Sequence, residues 1–547
     1  MEEFKLIAKT FQGLEEVLAK ELNGLGAKNV EPGRRMVSFM GNNELMYRAN
    51  FSLRTAIRIL KPIAEFKANT ADEVYEAVKA IDWNKYLTLE TSFAVDSVVY
   101  SEDFKHSKFV AYKVKDAIVD FFREQTGKRP NISVTNPDIK FNMHIAENSC
   151  TLSLDSSGES LHKRGYRAAT VESPINEVLA AGMILMTGWQ GECDLIDPMC
   201  GSGTIAIEAA LIAHNMSPGL FRKKYAFENW KDFDKDLFDQ IYNDDTQERP
   251  FEHHIYAYDL DRNAVAVAQC NAKAAGVTSD VTVVAQPLQQ FKQPAEKAIM
   301  ITNPPYGERI SSPNLLGLYR TLGDRLKHQF VGNEAWVIGY REETFDQIGL
   351  KPSLKIPLFN GSLDCEFRKY QIFDGKLDSF RAQGNILKTD EEKERNAAKR
   401  RLKPHRDFKQ NDGGDDFDSE IPEYIRMRHK EFVQNQQREA RHNRYDDYDK
   451  RGDRGEHRYG RNDSRYGHND SRYSRGNSRN EKGENSYHNR ENYSLSRENF
   501  YNNGNGGDRS RGDYRGNRSY DKGRKSYGGG FKSKGNRQRR YNNEDDD

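Results

Sequence analysis

None of the apolar runs in this 547-residue sequence approaches the ~18–20 residues that a membrane-spanning helix needs. A membrane protein built on helices is therefore excluded. The first residues, Met1-Glu2-Glu3-Phe4-Lys5, are acidic and lack the apolar stretch of a secretory signal, so a cytoplasmic protein is expected. Cysteine is scarce as well. The five residues Cys150, Cys193, Cys200, Cys270 and Cys365 are odd in number and scattered, with no Cys-x-x-Cys pair. That spacing argues against a disulfide framework and a zinc site, and no metal is expected.

Apolar residues amount to 36% of the chain, below the roughly 45–50% of an ordinary globular protein. The deficit is local. Residues 401–547 contain only seven Ala, Val, Ile, Leu or Met, with 34 Lys and Arg against 27 Asp and Glu. Residues 1–400 hold 50 basic and 56 acidic residues, so the net charge of +1 hides an acidic body and a basic tail. Such a tail buries too little apolar surface to offset its ordering entropy, and disorder is expected over 385–547. Arginine, glycine, asparagine and tyrosine interleave in it (Arg472-Tyr473-Ser474-Arg475-Gly476-Asn477), a composition suited to phosphate attraction and base stacking.

What is present before the tail falls into two rhythms. Over 1–156 helices and strands mix. Phe4–Ala8 and Met36–Met40 read as strands, and Leu14, Val17, Leu18, Leu22 and Leu25 fall at helical spacing. Leu53–Leu60 reads as a strand edged by Arg54 and Arg58, placed to touch a phosphate or simply to solvate the edge. Lys108–Thr126 reads as a long amphipathic helix, and Ser92–Tyr100, Phe141–Ile145 and Cys150–Leu154 as strands. From about 165 strand–loop–helix units follow one another. They predict a parallel sheet covered by helices, with an antiparallel hairpin around Asn360-Gly361 at one edge.

Two motifs in the second region carry chemistry. Asp197-Pro198-Met199-Cys200-Gly201-Ser202-Gly203-Thr204 follows an apolar strand and opens a helix, the context in which a glycine loop binds a ligand. It lacks the Lys-Ser/Thr of a P-loop. The acidic residue expected about 20 residues on for NAD is also missing, and that role falls to Asp259 after a charged insertion at 219–251. Asn303-Pro304-Pro305-Tyr306 directly follows another apolar strand. A side-chain amide oxygen and a prolyl carbonyl together accept both hydrogens of an –NH₂ group, and the tyrosine ring offers a stacking surface.

Asp197–Thr204 resembles the first motif of class I S-adenosylmethionine-dependent methyltransferases, and Asn303–Tyr306 resembles their amino-methylating motif. The strings Leu161-His162-Lys163-Arg164-Gly165-Tyr166-Arg167 and Asn303-Pro304-Pro305-Tyr306-Gly307-Glu308-Arg309, with Ser52-Leu53-Arg54-Thr55-Ala56, narrow the likeness. Together they resemble bacterial THUMP-domain RNA guanine-N2 methyltransferases, closest to the N-terminal half of the large-subunit rRNA enzyme of the RlmL type. The resemblance covers about residues 1–375. It implies an α/β fold: a Rossmann-like methyltransferase domain (165–375) after an α+β ferredoxin-like region (1–60) and a THUMP RNA-binding domain (45–156).

The resemblance also implies roles. Asp197, Cys200, Gly201 and Gly203 would line the methionine end of S-adenosylmethionine, and Asp259 would accept hydrogen bonds from its ribose. Asn303, Pro304 and Tyr306 would hold the target guanine, most simply in 23S rRNA. Two departures stand out. The acidic residue that commonly contacts the adenine is replaced by Gln286 in Val284-Ala285-Gln286-Pro287-Leu288, and the second methyltransferase half of the long enterobacterial enzyme gives way to the polar tail. Alternatives are tRNA guanine-N2, adenine-N6 in nucleic acid, or a non-catalytic RNA-binding assembly factor. The last predicts a damaged glycine loop or tetrapeptide, and both are intact. Glu177 opens a helix, His162 lies near a basic turn, and Glu308 and Arg309 would order the loop after the tetrapeptide.

Overall fold

The structure is a computed structural model that describes residues 2–294, 296–307 and 312–375. The expectations for Glu308, Arg309 and the tail at 385–547 lie outside the described residues. No described helix is long and apolar enough to cross a membrane.

The N-terminal half is built on eight strands: β1 (Phe4–Lys9), β2 (Lys28–Gly33), β3 (Met36–Gly41), β4 (Arg58–Lys67), β5 (Ser92–Tyr100), β6 (Asn131–Ile132), β7 (Ile139–Ala146) and β8 (Ser149–Asp155). They form one sheet in the order β2-β3-β1-β4-β8-β7-β5-β6. The ten residues of β4 join its two parts: Arg58–Leu60 pair with β1, and Leu60–Lys67 pair with β8. The two parts of the sheet therefore share a strand. Alternation sets the faces. Ile139, Phe141, Met143 and Ile145 of β7 point into the core, while Lys140, Asn142 and His144 stay half-buried on the other side. That second face forms a cavity of about 960 Å³ lined by Lys9, Arg35, Arg58, Lys108 and His144.

Two sequence expectations fail here. Leu53–Ile57 are not in a strand, because the amides of Arg54 and Thr55 donate to the half-buried Glu21 carboxylate (2.8 and 3.0 Å) rather than to a sheet neighbour. Arg54 is neither at a solvated edge nor facing RNA; it is 7% exposed and donates to the Leu211 carbonyl at 3.2 Å. Arg58 pairs with the buried Asp155. Strand β2, with its Asn, Pro and Gly, carries no strand signal in its sequence; it is an exposed edge strand, where proline is tolerated.

The second sheet comprises β9 (Asp194–Asp197), β10 (Ile255–Asp259), β11 (Val281–Ala285), β12 (Ala298–Thr302), β13 (Glu334–Gly339), β14 (Leu354–Asn360) and β15 (Leu363–Gln371). Its order is β11-β10-β9-β12-β13-β15-β14, with five parallel strands and the expected hairpin antiparallel at the edge. The charged insertion proves to be an aromatic strap. Its short helix Lys235–Asn243 and the turn Ala226–Asn229 pack on the N-terminal helix Asn43–Ser52. Tyr47 stacks on Phe227 with ring centroids 4.5 Å apart. Phe227, Trp230, Phe238 and Ile241 belong to the N-terminal core.

Candidate functional site

Strand β9 is buried throughout, and the chain leaves its carboxyl end at Asp197 into the glycine loop. The loop is stitched to β10: the Cys200 amide donates to the Tyr258 carbonyl (2.8 Å), and the Gly201 amide donates to Asp259 Oδ2 (2.8 Å). Gly201 (φ +53°) and Gly203 (φ +79°) both sit in the left-handed region that favours glycine. They use it differently. A Cβ on Gly201 would find only Val171, 3.9 Å away, so its backbone faces open space. A Cβ on Gly203 would stand 3.0 Å from the Cβ of Ala268.

At the carboxyl ends of the central strands the structure opens a cavity of about 760 Å³. Asp197, Cys200, Gly201, Asp259, Asn303, Pro304 and Tyr306 all line it, and so does Gln286. Gly203 does not. It lies behind the wall, where its missing side chain lets the helix Thr204–Ala213 approach the helix Arg262–Ala274.

Asp197 is 1% exposed and accepts from the Thr302 hydroxyl at 2.9 Å and the Met199 amide at 3.3 Å. Burial, reinforced by the charge of Asp259, pushes its carboxyl up to about 7. Asp259 accepts one N–H on each oxygen, from Gly201 and from Asp261 (2.9 Å), which leaves a lone pair on each. Burial also pushes the Cys200 thiol up, so it stays protonated. In the tetrapeptide, the Tyr306 hydroxyl donates to Asn303 Oδ1 at 2.7 Å and accepts from Asn360 Nδ2 at 3.2 Å. Its ring packs edge-on to Tyr340 with centroids 5.5 Å apart.

Several contributors escape the sequence reading. Arg167 clamps the glycine loop, donating to the Ser202 hydroxyl (2.8 Å), the Thr204 hydroxyl (3.0 Å) and the Glu177 carboxylate (2.8 Å). Asn271, 1% exposed in the helix Arg262–Ala274, donates to the Ala169 and Ser202 carbonyls. Arg167 closes one of the strings that carry the family resemblance, and a lone polar residue on the apolar face of a helix is the signal that points to Asn271. Glu177 does open its helix and is held by Arg167. His162 lies outside the cavity, bonded to the Ser160 hydroxyl, and burial together with Arg164 pushes its imidazole down to about 4.

Known proteins resemble this chain. Residues 164–369 match the family described as the RMKL-like methyltransferase domain, 68–155 the THUMP domain, and 5–60 the RlmL ferredoxin-like domain. A protein of Synechocystis named as a candidate RNA methyltransferase is 37% identical over 373 residues, 67% of this chain and 96% of that one. The ribosomal RNA large subunit methyltransferase K/L of Syntrophotalea carbinolica is 39% identical over 387 residues. Those residues are 68% of this chain and 54% of the K/L enzyme, so the chain spans about half the length of such enzymes. The crystal structure of a candidate methyltransferase complexed with S-adenosylhomocysteine is 30% identical. It superposes with a TM-score of 0.62 over 69% of this chain and 100% of its own. The chain thus belongs to the RlmL-type family of THUMP-domain methyltransferases, with the fold of the S-adenosylmethionine-dependent class.

Proposed function

We propose that this chain methylates the exocyclic N2 amine of an unpaired guanine in RNA, 23S rRNA being the substrate. The observation that carries the reading is the meeting, in one cavity, of the open backbone at Gly201, the carboxylate of Asp259 and the amide of Asn303. The cavity suits the cofactor. Its 760 Å³ holds a nucleoside with room for a second base, and Asp259 keeps free lone pairs for two ribose hydroxyls. Gln286 and the apolar side chains of Leu260 and Leu288 border the place for adenine, which answers the missing acidic residue. S-adenosylmethionine supplies a methyl group on a sulfonium, already a strong electrophile.

The protein's part is placement. Asn303 Oδ1 and the Pro304 carbonyl accept the two hydrogens of the amine, which directs the nitrogen lone pair toward the methyl donor. Pro304 and Pro305 contribute no N–H at the turn, so no backbone donor competes there. Cys200 and Asp197, which line the cavity, would border the methionine end, where Asp197 would face the cationic part of the cofactor. Once methylated the nitrogen is cationic and acidic, and its extra proton passes to water without a dedicated base. The guanine reaches the cleft only when unpaired or flipped. The basic face of the N-terminal sheet, with Lys9, Arg35 and Lys108, supports RNA as the partner through phosphate attraction.

Mass analysis of rRNA nucleosides from a strain lacking the gene should show one N2-methylguanosine lost. An unchanged profile with a loss in tRNA, or a lost N6-methyladenosine, would redirect the assignment. Asn303→Ala should abolish turnover and leave S-adenosylhomocysteine affinity within about twofold, because its amide acts on the base alone. Near-normal methylation by that variant would mean the base sits elsewhere.

A further inference from the structure

Asn360 stands 57 residues after Asn303, at the end of β14, yet its side chain reaches the tetrapeptide. Its Nδ2 lies 3.2 Å from the Tyr306 hydroxyl, and that hydroxyl lies 2.7 Å from Asn303 Oδ1. The polarity of this chain is forced by its first member. An amide nitrogen only donates, so the tyrosine oxygen accepts from Asn360, and its single proton goes to Asn303. A hydroxyl that could otherwise rotate is held in one sense. The amide of Asn303 is then held too, with one lone pair of Oδ1 used by Tyr306 and the other left for a ligand.

The anchor of the chain is rigid. Asn360 pairs with Leu363 across a two-residue turn whose Gly361 has φ +63°, and Gly361, Ser362 and Leu363 line the same cavity. Leu358 opposite Cys365 fixes the register one step further in, and both are fully buried. A slip of one residue would turn Asn360 to the other face of the hairpin.

We propose that Asn360 is a positioning residue for methyl transfer, setting the orientation of the Asn303 amide through the hydroxyl of Tyr306. It rests on the reading that Asn303 receives the amine of the base. The C-terminal hairpin thus completes a site whose other parts come from the parallel strands. Asn360 itself need not touch the base.

The test is a double-mutant cycle on the full-length protein. Its readout is methyl incorporation from S-adenosylmethionine into total RNA of a strain lacking the gene, with S-adenosylhomocysteine calorimetry as the control for folding. Asn360→Ala should lower kcat roughly three- to tenfold, the scale of one neutral hydrogen bond, with KM for the cofactor unchanged. Tyr306→Phe should lower kcat at least as much. In the Tyr306→Phe background Asn360→Ala should cost nothing further, because the relay is already broken. Asn360→Asp supplies a second readout. Its carboxylate would accept the tyrosine proton and draw it from Asn303, whereas the protonated acid would donate as the amide does. The activity of Asn360→Asp relative to wild type should therefore rise as pH falls. Equal losses from Asn360→Ala in both backgrounds, or an Asn360→Asp ratio flat with pH, would overturn the relay while an inactive Asn303→Ala still upheld the role of Asn303. An active Asn303→Ala, or a wild-type protein that methylates no RNA of this pool, would overturn both.

Discussion

Asp197 is a carboxyl group almost without water, and its proton is part of the stability of the fold. Its ordinary value of 3.8 rises to about 7 on burial, so the folded state holds the proton more tightly than the unfolded chain. For a group raised in this way, the stabilising contribution is present below about pH 4. It is lost progressively as pH climbs to about 7, because the unfolded chain then releases the proton more readily. The loss is bounded at about 4 kcal/mol by the size of the shift. Chemical denaturation of the ligand-free protein at pH 5 and pH 7.5 should show this decline, and Asp197→Asn should flatten it. An identical slope in the variant would place the pH dependence elsewhere. Arg54 shows why some residues are illegible in a sequence. Its partners, Glu21 and the Leu211 carbonyl, lie 33 and 157 positions away, and no local pattern separates a buried arginine from one at a strand edge.

At the scale of elements, the parallel strands are legible because each is a short apolar run, and three of them end in a motif. Asp197, Asp259 and Asn303 all stand at strand ends, where period and punctuation coincide. The hairpin follows from Asn360-Gly361. The strap is not legible, because charge interleaves with its aromatics. Arg222, Lys223 and Lys224 precede them, and residues 219–251 read as a polar insertion although Tyr225, Phe227, Trp230 and Phe238 are buried. Phe227 lies between Tyr47 at 4.5 Å and Tyr225 at 5.1 Å, both stacked. Phe227→Ala should cost ~3–5 kcal/mol in urea denaturation, the usual toll of emptying an aromatic core position. The folded fraction should still bind S-adenosylhomocysteine with normal affinity. A loss below about 1 kcal/mol would show that the strap merely rests on the N-terminal core.

For the whole molecule, the composition of the tail predicts an electrostatic contribution. Residues 441–540 carry 26 Lys and Arg against 14 Asp and Glu, with 11 tyrosines and a single aliphatic residue, Leu495. Truncation after about residue 390 should leave cofactor binding and the choice of nucleotide unchanged, because all the cavity residues lie before it. RNA affinity should fall, most at low salt and with little regard to sequence, since phosphate contacts release counterions and ring stacking reads no base edges. An unchanged salt slope, or methylation moved to another nucleotide, would refute a nonspecific tether.

Strand β4 belongs to both parts of the N-terminal sheet, and the aromatic strap fastens that sheet's core to the chain that leads into β10. A protein assembled in this way would act as a caliper. On the proposed function, the span between its basic face and its cleft would be set by covalent and packed structure, and a nucleotide would be chosen by its distance from whatever the face grips. Two RNAs with the same bases around the target but a different helical length behind it would then be unequal substrates.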